Sequence, residues 1–340
     1  MKFKTIDNVV LFGGSRILAD FVVFAKKHLP FRLTVFTSKR HLGEIVPGSR
    51  KTLQQILKAN RVTVYESADI NHDKRLKQFV NPATLGMAFG AVWIFEKKTV
   101  KLFRPGHLLD FMGIDLPRYR GGAHYTWQIL HGNRQGAANL QIIRGGKESF
   151  HRGEIIKRQE FVLPQRAMRP IDYFDFMAGK ELELLKEFFR DIKLNKTFKL
   201  VRLEESQSSY YPFLSTQAQG YINWGWTGEQ ICRFINAFDE PYAGAATYLE
   251  NERVYLKGCR YRKPQEDYHP FTSGVVVRKD KSAIYIASVG GLLEISEVLN
   301  EKGKNVRESI ELGSRFYTSH GKLDEGMGFR AVYNAGGLKK

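Results

Sequence analysis

Residues 105–156 read PGHLLDFMGIDLPRYRGGAHYTWQILHGNRQGAANLQIIRGGKESFHRGEII, and the fold turns on how this stretch is divided. The run 108–114 is apolar enough for a buried strand, and Pro117 breaks it into a loop, PRYRGGA. A helical pattern follows, with Trp127, Ile129 and Leu130 apolar and Gly132 as the stop. A second apolar run, 138–143, returns as a strand. A strand that opens on a glycine-rich, arginine-bearing loop ahead of a helix is a common place for a site in an α/β domain.

Working outward from there, 9–12 is a short apolar strand followed by Gly13-Gly14-Ser15. A helix pattern then runs through Ile17, Leu18, Phe21, Val22 and Phe24. The turn lacks the full G-x-G-x-x-G fingerprint; it serves a tight strand-to-helix connection or a phosphate at the helix N-terminus. Residues 32–37 and 61–65 read as the second and third strands, with 52–57 helical between them. Residues 91–95 (AVWIF), apolar on both faces, read as the fourth, and 108–113 as a fifth, mid-sheet strand. Strands alternating with helices call for an α/β fold with a doubly wound, mostly parallel sheet. A long helical pattern over 170–195 closes a first domain, 1–195, and the mixed segment 196–222 reads as a linker. In 223–340, Thr227 and Gln230 have capping-box spacing. Short strands at 247–249, 254–257, 274–277 and 283–288 then suggest a small, β-rich, OB-like barrel. The tail AGGLKK reads as loose.

The chain has 340 residues, enough for two cores, with 43% hydrophobic residues and a formal charge of +18. That charge serves solubility or an anionic partner such as a nucleotide sugar, a folate, tRNA or a phospholipid surface. The N-terminus has too short an apolar core for a signal peptide, and no apolar run, 86–95 being the longest, reaches membrane-spanning length. Cys232 and Cys259 cannot build a disulfide framework and read as reduced, buried thiols in a cytoplasmic protein.

The loop Leu116-Pro117-Arg118-Tyr119-Arg120-Gly121-Gly122, Trp127 on the following helix, and the later His151-Arg152-Gly153-Glu154-Ile155-Ile156 resemble the formyltransferase family. Its members move a formyl group from 10-formyltetrahydrofolate to an amine. A second match, GYINWGWTGEQICRFINAFDEPYAGAATYL at 220–249, is similar to the branch that formylates nucleotide-linked amino sugars. The resemblance implies a formyltransferase-type doubly wound domain, 10-formyltetrahydrofolate as the formyl donor, and a nucleotide-linked amino sugar or another small amine as acceptor. It is compatible with a homodimer. It also implies that the family's Asn, His and Asp fall on Asp110, Met112 and His151, so that all three chemical positions are substituted.

An amine attacking a formyl carbon makes an oxyanion that needs hydrogen-bond donors, and the amine needs a base. An ionised Asp110 repels an oxyanion and Met112 has no donor, while His151 titrates near neutral pH. Losing one oxyanion donor costs about 3–4 kcal/mol of barrier. Three readings stand: an inert site that binds a ligand or partner, a swapped acid–base pair of Asp110 and His151, or an altered reaction using groups such as His107. Asp110 and His151 also read as a buried ion pair locking two strands. Tyr119 and Arg120 lie beside the site in the family, and Arg120 suits a carboxylate or phosphate, or else ties the loop to the sheet. Gly121 and Gly122 contact ligand or simply permit the turn, and Trp127 is core or ligand platform. The remaining histidines, His124 among them, lack metal-ligand spacing, and no metal is expected. Nucleic acid is the less favoured partner: a basic chain with a small barrel could hold tRNA, as relatives that formylate methionyl-tRNA do.

Overall fold

The computed structural model describes residues 1–3, 5–263, 267–334 and 337–338. The chain opens with β1 (Asn8–Gly13), α1 (Arg16–His28), β2 (Arg32–Thr37), α2 (Lys39–Gly43), α3 (Leu53–Ala59), β3 (Thr63–Glu66), β4 (Thr84–Phe89), α4 (Lys97–Val100) and β5 (Leu108–Met112). It continues through β6 (Arg120–Gly121), α5 (His124–Leu130), β7 (Gln135–Ile142), β8 (Ile155–Val162), α6 (Pro170–Lys193), β9 (Tyr210–Tyr211) and α7 (Thr216–Gln219). The last part holds α8 (Gly228–Ala237), β10 (Ala245–Leu249), β11 (Glu252–Arg262), β12 (Val276–Lys279), β13 (Ile284–Ser288), β14 (Gly291–Asn300), β15 (Phe316–Tyr317) and α9 (His320–Gly328).

The first sheet has the order β3-β2-β1-β4-β5-β7-β8. Its first five strands are parallel, and β7 and β8 add on antiparallel. Alternation along β1 shows why both faces are covered. Val9 and Leu11 enter one core with Phe21 of α1 and Phe188 of α6, while Val10 and Phe12 enter the other with Phe36, Trp93 and Phe95. Ser15 starts α1 by accepting a hydrogen bond from the Leu18 amide at 3.4 Å.

Several strand boundaries depart from the sequence reading: β7 begins at Gln135 rather than 138, β11 runs Glu252–Arg262 rather than 254–257, and the third and fourth strands also shift. The fourth strand is Thr84–Phe89, not 91–95: Gly90, at φ +59°, ends it, and 91–95 turn over the carboxyl end of the sheet. Those residues are apolar because Trp93 and Phe95 are buried as a loop, with the Trp93 indole donating to the Ala68 carbonyl at 3.0 Å. The third strand starts at Thr63, because Arg61 takes a left-handed φ of 51° on leaving α3. Strand β8 was not foreseen; its Lys157, Arg158 and Glu160 belong to an edge strand, and Lys157 bridges to Asp191 of α6 at 2.7 Å.

Segment 196–222 runs along the first sheet. Phe198 is buried in the first core, Val201 exchanges two backbone hydrogen bonds with Ile155, and β9 pairs in parallel with β6. Beyond it, Thr227 and Gln230 form the capping box that starts α8. A six-stranded antiparallel sheet follows in the order β12-β13-β14-β11-β10-β15, a half-barrel whose two edges meet at the Val275–Arg315 bridge. Ile231 and Ile235 of α8 fill it, and Ile129 of α5 and Tyr173 of α6 share that core, which joins the two parts. Cys232 and Cys259 are buried and free, the Cys232 thiol donating to the Cys259 carbonyl at 3.5 Å. Among the described residues no helix is long and apolar enough to cross a membrane. Of the tail expected to be loose, residues 335, 336, 339 and 340 lie outside the described residues.

Candidate functional site

The carboxyl ends of the parallel strands open on a cavity of about 630 Å³. Its floor comes from β5, where Asp110 and Met112 share one face because strand side chains alternate. Asp110 sits in register between Ala88 of β4 and Gln141 of β7. His151, on the loop between β7 and β8 with a left-handed φ of 54°, enters from the side, its ring stacked on Phe150 at 3.7 Å between centroids. The apolar loop 91–95 forms one wall, and Gly145 and Gly146 another.

The three positions singled out from sequence therefore meet in one cavity. His151 Nε2 lies 3.8 Å from Asp110 Oδ2, beyond hydrogen-bond reach. Burial pushes the Asp110 carboxyl up to about 7. Burial, with added repulsion from His124 and Arg120, pushes the His151 imidazole down to about 3. The contact does not lock two strands, because His151 sits on the loop between β7 and β8, and burial drives each group toward its neutral form. His151 Nδ1 is buried without a hydrogen-bond partner among the described residues.

The loop after β5 is held from below. Asn139 Nδ2 donates to the carbonyls of Met112 and Ile114 at 3.2 and 2.6 Å, and Arg158 donates to Asn139 Oδ1 at 2.9 Å and to Asp115 at 2.6 Å. Gly121, at φ +107°, passes so close to the Tyr211 carbonyl that any Cβ would overlap it, so a glycine is required. Gly121 and Gly122 line the cavity; Tyr119, Arg120 and His107 do not. Tyr119 stacks on Tyr211 and accepts from Asn133 Nδ2 at 2.9 Å. Buried Arg120 makes a two-pronged pair with Glu205, both contacts 2.8 Å, and so ties the loop to the segment crossing it. His107 sits just before β5, at the opposite end of that strand from Met112, with its ring against Phe3. Trp127 donates to the Pro212 carbonyl at 2.9 Å and faces a second cavity.

Two cavity residues escaped the sequence reading. His124, first residue of α5, has Nδ1 2.9 Å from the Tyr119 carbonyl. A carbonyl only accepts, so Nδ1 carries the proton and Nε2 the lone pair; burial pushes this ring down to about 4. Arg40 stands at the cavity edge just past β2, paired with Glu44 at 3.0 Å. Its signal was positional: the residues after a parallel strand's carboxyl end face the crevice.

Fold and cavity define a two-part α/β protein with its site at the strand ends beside a β half-barrel. The family model for the formyl transferase C-terminal domain matches residues 215–309. A methionyl-tRNA formyltransferase of Coxiella burnetii is 28% identical over 229 residues, 67% of this chain and 68% of that one. The Helicobacter canadensis N-formyltransferase, solved with folinic acid and dTDP-3-aminofucose, superposes with TM-score 0.63 at 18% identity, over 86% of this chain and 100% of that one. A sugar 3N-formyl transferase, solved with dTDP and 5-N-formyl-THF, gives TM-score 0.61 at 18% identity, over 88% and 99%. The chain carries a formyl transferase C-terminal domain at 215–309 and is similar to formyltransferases in sequence and in fold.

Proposed function

We propose that the protein holds a reduced folate, 10-formyltetrahydrofolate or a close analogue, in the cavity around Asp110, Met112 and His151, and that formyl transfer there is lost or strongly slowed. The observation that carries this is the coexistence of an open cavity of about 630 Å³ with a centre that lacks a fixed hydrogen-bond donor. The residues fit a flat, polar-edged ring: apolar walls at Val92 and Ile94, polar side chains at Asp110 and Ser149, and Arg40 at the edge for a carboxylate.

The folate would supply the formyl carbon. The chain must then hold the negative oxygen that develops as an amine attacks, take the amine's proton and keep water out. Met112 does none of the first two. Asp110 donates only while protonated and repels the oxygen once ionised. The acceptor best supported is the amine of a nucleotide-linked sugar, from the 220–249 segment that carries α8; methionyl-tRNA is the alternative, from the sequence relatives.

Thermal melting with 5-formyltetrahydrofolate tests the binding half, since a ligand that binds only the folded chain raises its stability. A rise in melting temperature without turnover on amino-sugar nucleotides or methionyl-tRNA is expected. The triple change Asp110→Asn, Met112→His and His151→Asp should then bring turnover up. No rise with folate would remove the proposal, and rapid turnover by the unchanged chain would remove its second half.

A second reading rests on His124. Its fixed tautomer leaves the lone pair on Nε2 of a ring that lines the cavity, so a protonated Asp110 and a neutral His124 would supply a donor and a base without the three family groups.

A further inference from the structure

A second cavity, of about 800 Å³, lies where α5, α7, α8 and α9 converge, within the size range of sites that hold one small molecule. Its inner wall is hydrocarbon. Phe234 and Phe238 are buried there with their ring centroids 4.7 Å apart, and Leu130 and Leu214 line the same space. Helix α9 forms the outer wall. Gly326 is its one buried residue, set so close to α7 that a Cβ would fall 2.9 Å from the Ala218 carbonyl oxygen. Leu323 and Met327, a turn apart on α9, line the cavity, and Met327 is largely exposed. An apolar chain laid between these two walls would remove hydrocarbon of both from water.

The polar groups in the wall are biased toward donation. The side-chain oxygens of Gln219, Asn223 and Gln230 accept from the backbone amides of Ser215, Gly225 and Thr227 at 2.9, 2.9 and 3.1 Å. Those bonds fix which end of each side chain is the oxygen, because a backbone N–H needs an acceptor. The NH₂ groups of Asn223 and Gln230 are left without a partner among the described residues. Arg330 has no ion pair among the described residues, and Lys322 holds Glu325 at 2.7 Å in an exposed pair of small worth. Among the described residues no Asp or Glu lines the cavity. A ligand rich in N–H and O–H groups meets no side-chain amide oxygen here that is not already bonded. A ligand whose polar part is a single anionic acceptor on an apolar body meets donors, cations and hydrocarbon.

We propose that this cavity binds a free fatty acid, its acyl chain between Phe234 and the Leu323–Met327 face of α9 and its carboxylate at Arg330 and Lys322. The site is distinct from the cavity around Asp110, but the two share a wall, since Tyr210 and Leu214 line both. A chain bound here touches the same segment that passes over Gly121. The proposal stands whether or not formyl transfer is retained.

The test is titration of the full chain with octanoate, decanoate, dodecanoate and dodecanol, read by tryptophan fluorescence and calorimetry. Dodecanoate should saturate one site per chain below about 100 μM, and each added pair of methylenes should tighten binding by about tenfold. Dodecanol, which lacks the charge, should bind about tenfold more weakly than dodecanoate. Met327→Glu puts a carboxylate on an exposed position of the outer wall and should weaken dodecanoate at least tenfold. Arg330→Gln should weaken dodecanoate while leaving dodecanol unchanged. Each variant's melting curve and circular dichroism establish that it is folded. Failure of dodecanoate to saturate would overturn the proposal. So would several equivalent sites per chain, affinity independent of chain length, or dodecanoate binding untouched by Met327→Glu. Dodecanol binding as tightly as dodecanoate would overturn the assignment of the carboxylate. Binding to phosphatidylglycerol vesicles that free dodecanoate does not compete away would overturn the choice of a free acid.

Discussion

Asp110 and His151 face each other across 3.8 Å inside a cavity that pushes the acid up and the base down, so at neutral pH they are a partly protonated carboxyl and an uncharged imidazole. A carboxylate and a histidinium this close would attract in water. Here desolvation of each outweighs that attraction, and the pair stores a dependence on pH that differs in sign between its members.

For Asp110 the folded value is raised from 3.8 to about 7. Below 3.8 both folded and unfolded chains keep the proton. Above it the unfolded chain releases the proton first, so stability from this group is lost as pH rises toward and through about 7. Asp110→Asn removes that loss. Urea unfolding at a series of pH values should show the variant's advantage growing from pH 4 to pH 8, to roughly 2–4 kcal/mol. An advantage that is flat with pH would mean that the carboxyl is not desolvated.

For His151 the folded value is lowered from 6.5 to about 3, and the sign reverses. As pH falls below 6.5 the unfolded chain takes up a proton that the folded one refuses, and stability drops until about pH 3. His151→Asn keeps a residue at ease with a φ of 54° and removes up to one proton from that dependence, about 1.4 kcal/mol per pH unit. His41 and His124, both lowered to about 4, leave a remaining slope of the same sign. The direct check is the His151 ring by NMR, which should show no imidazolium-sized shift between pH 8 and pH 5, only the smaller step of Asp110 titrating 3.8 Å away.

Buried Arg120 with Glu205 fastens the crossing segment over the loop. Glu205→Ala leaves the guanidinium without its two-pronged partner and should cost about 1–3 kcal/mol in urea unfolding. Arg152, 3.4 Å from the same carboxylate, is itself exposed and cannot replace it. Arg120→Lys, with Glu205 kept, should also lose stability, because an ammonium cannot span both oxygens. Unchanged stability in both variants would show that the segment is held without this ion pair, by the β6–β9 pairing, the Val201–Ile155 hydrogen bonds and buried Phe198.

The doubly wound opening was legible because 9–12, Gly13-Gly14-Ser15 and the helix periodicity agree with one another at every level. The boundary of the fourth strand was not, because 85–95 is apolar throughout: burial was readable, but whether a residue is buried in a strand or in a loop was not. Strand β8 was hidden by the charged side chains that an exposed edge permits. At the site, the meeting of Asp110, Met112 and His151 followed from family resemblance, not from spacing. The fate of Arg120 could not be read, since Glu205 lies 85 positions away and a guanidinium serves a ligand or a carboxylate equally well. His124 looked like one scattered histidine among several until the turn after Tyr119 placed its ring in the cavity wall.

That ring gives the sharpest test of whether any chemistry survives. If transfer persists through a protonated Asp110 and a neutral His124, its rate must fall as pH rises through about 7, because Asp110 then turns from donor to repelling charge. His124 stays unprotonated down to about 4, so it adds no loss on the acid side until there. The expected profile is a plateau between about 4.5 and 6 with a single descending limb, opposite to a site whose activity depends on deprotonating a histidine near 6.5. Asp110→Asn should erase the descending limb and raise the rate above pH 8, since the amide donates at every pH. His124→Asn should lower the plateau by about a hundredfold, the usual contribution of a general base, without moving the limb. Single-turnover transfer from 10-formyltetrahydrofolate, measured across pH for the three proteins, decides it. A limb that survives Asp110→Asn would assign the titration to another group.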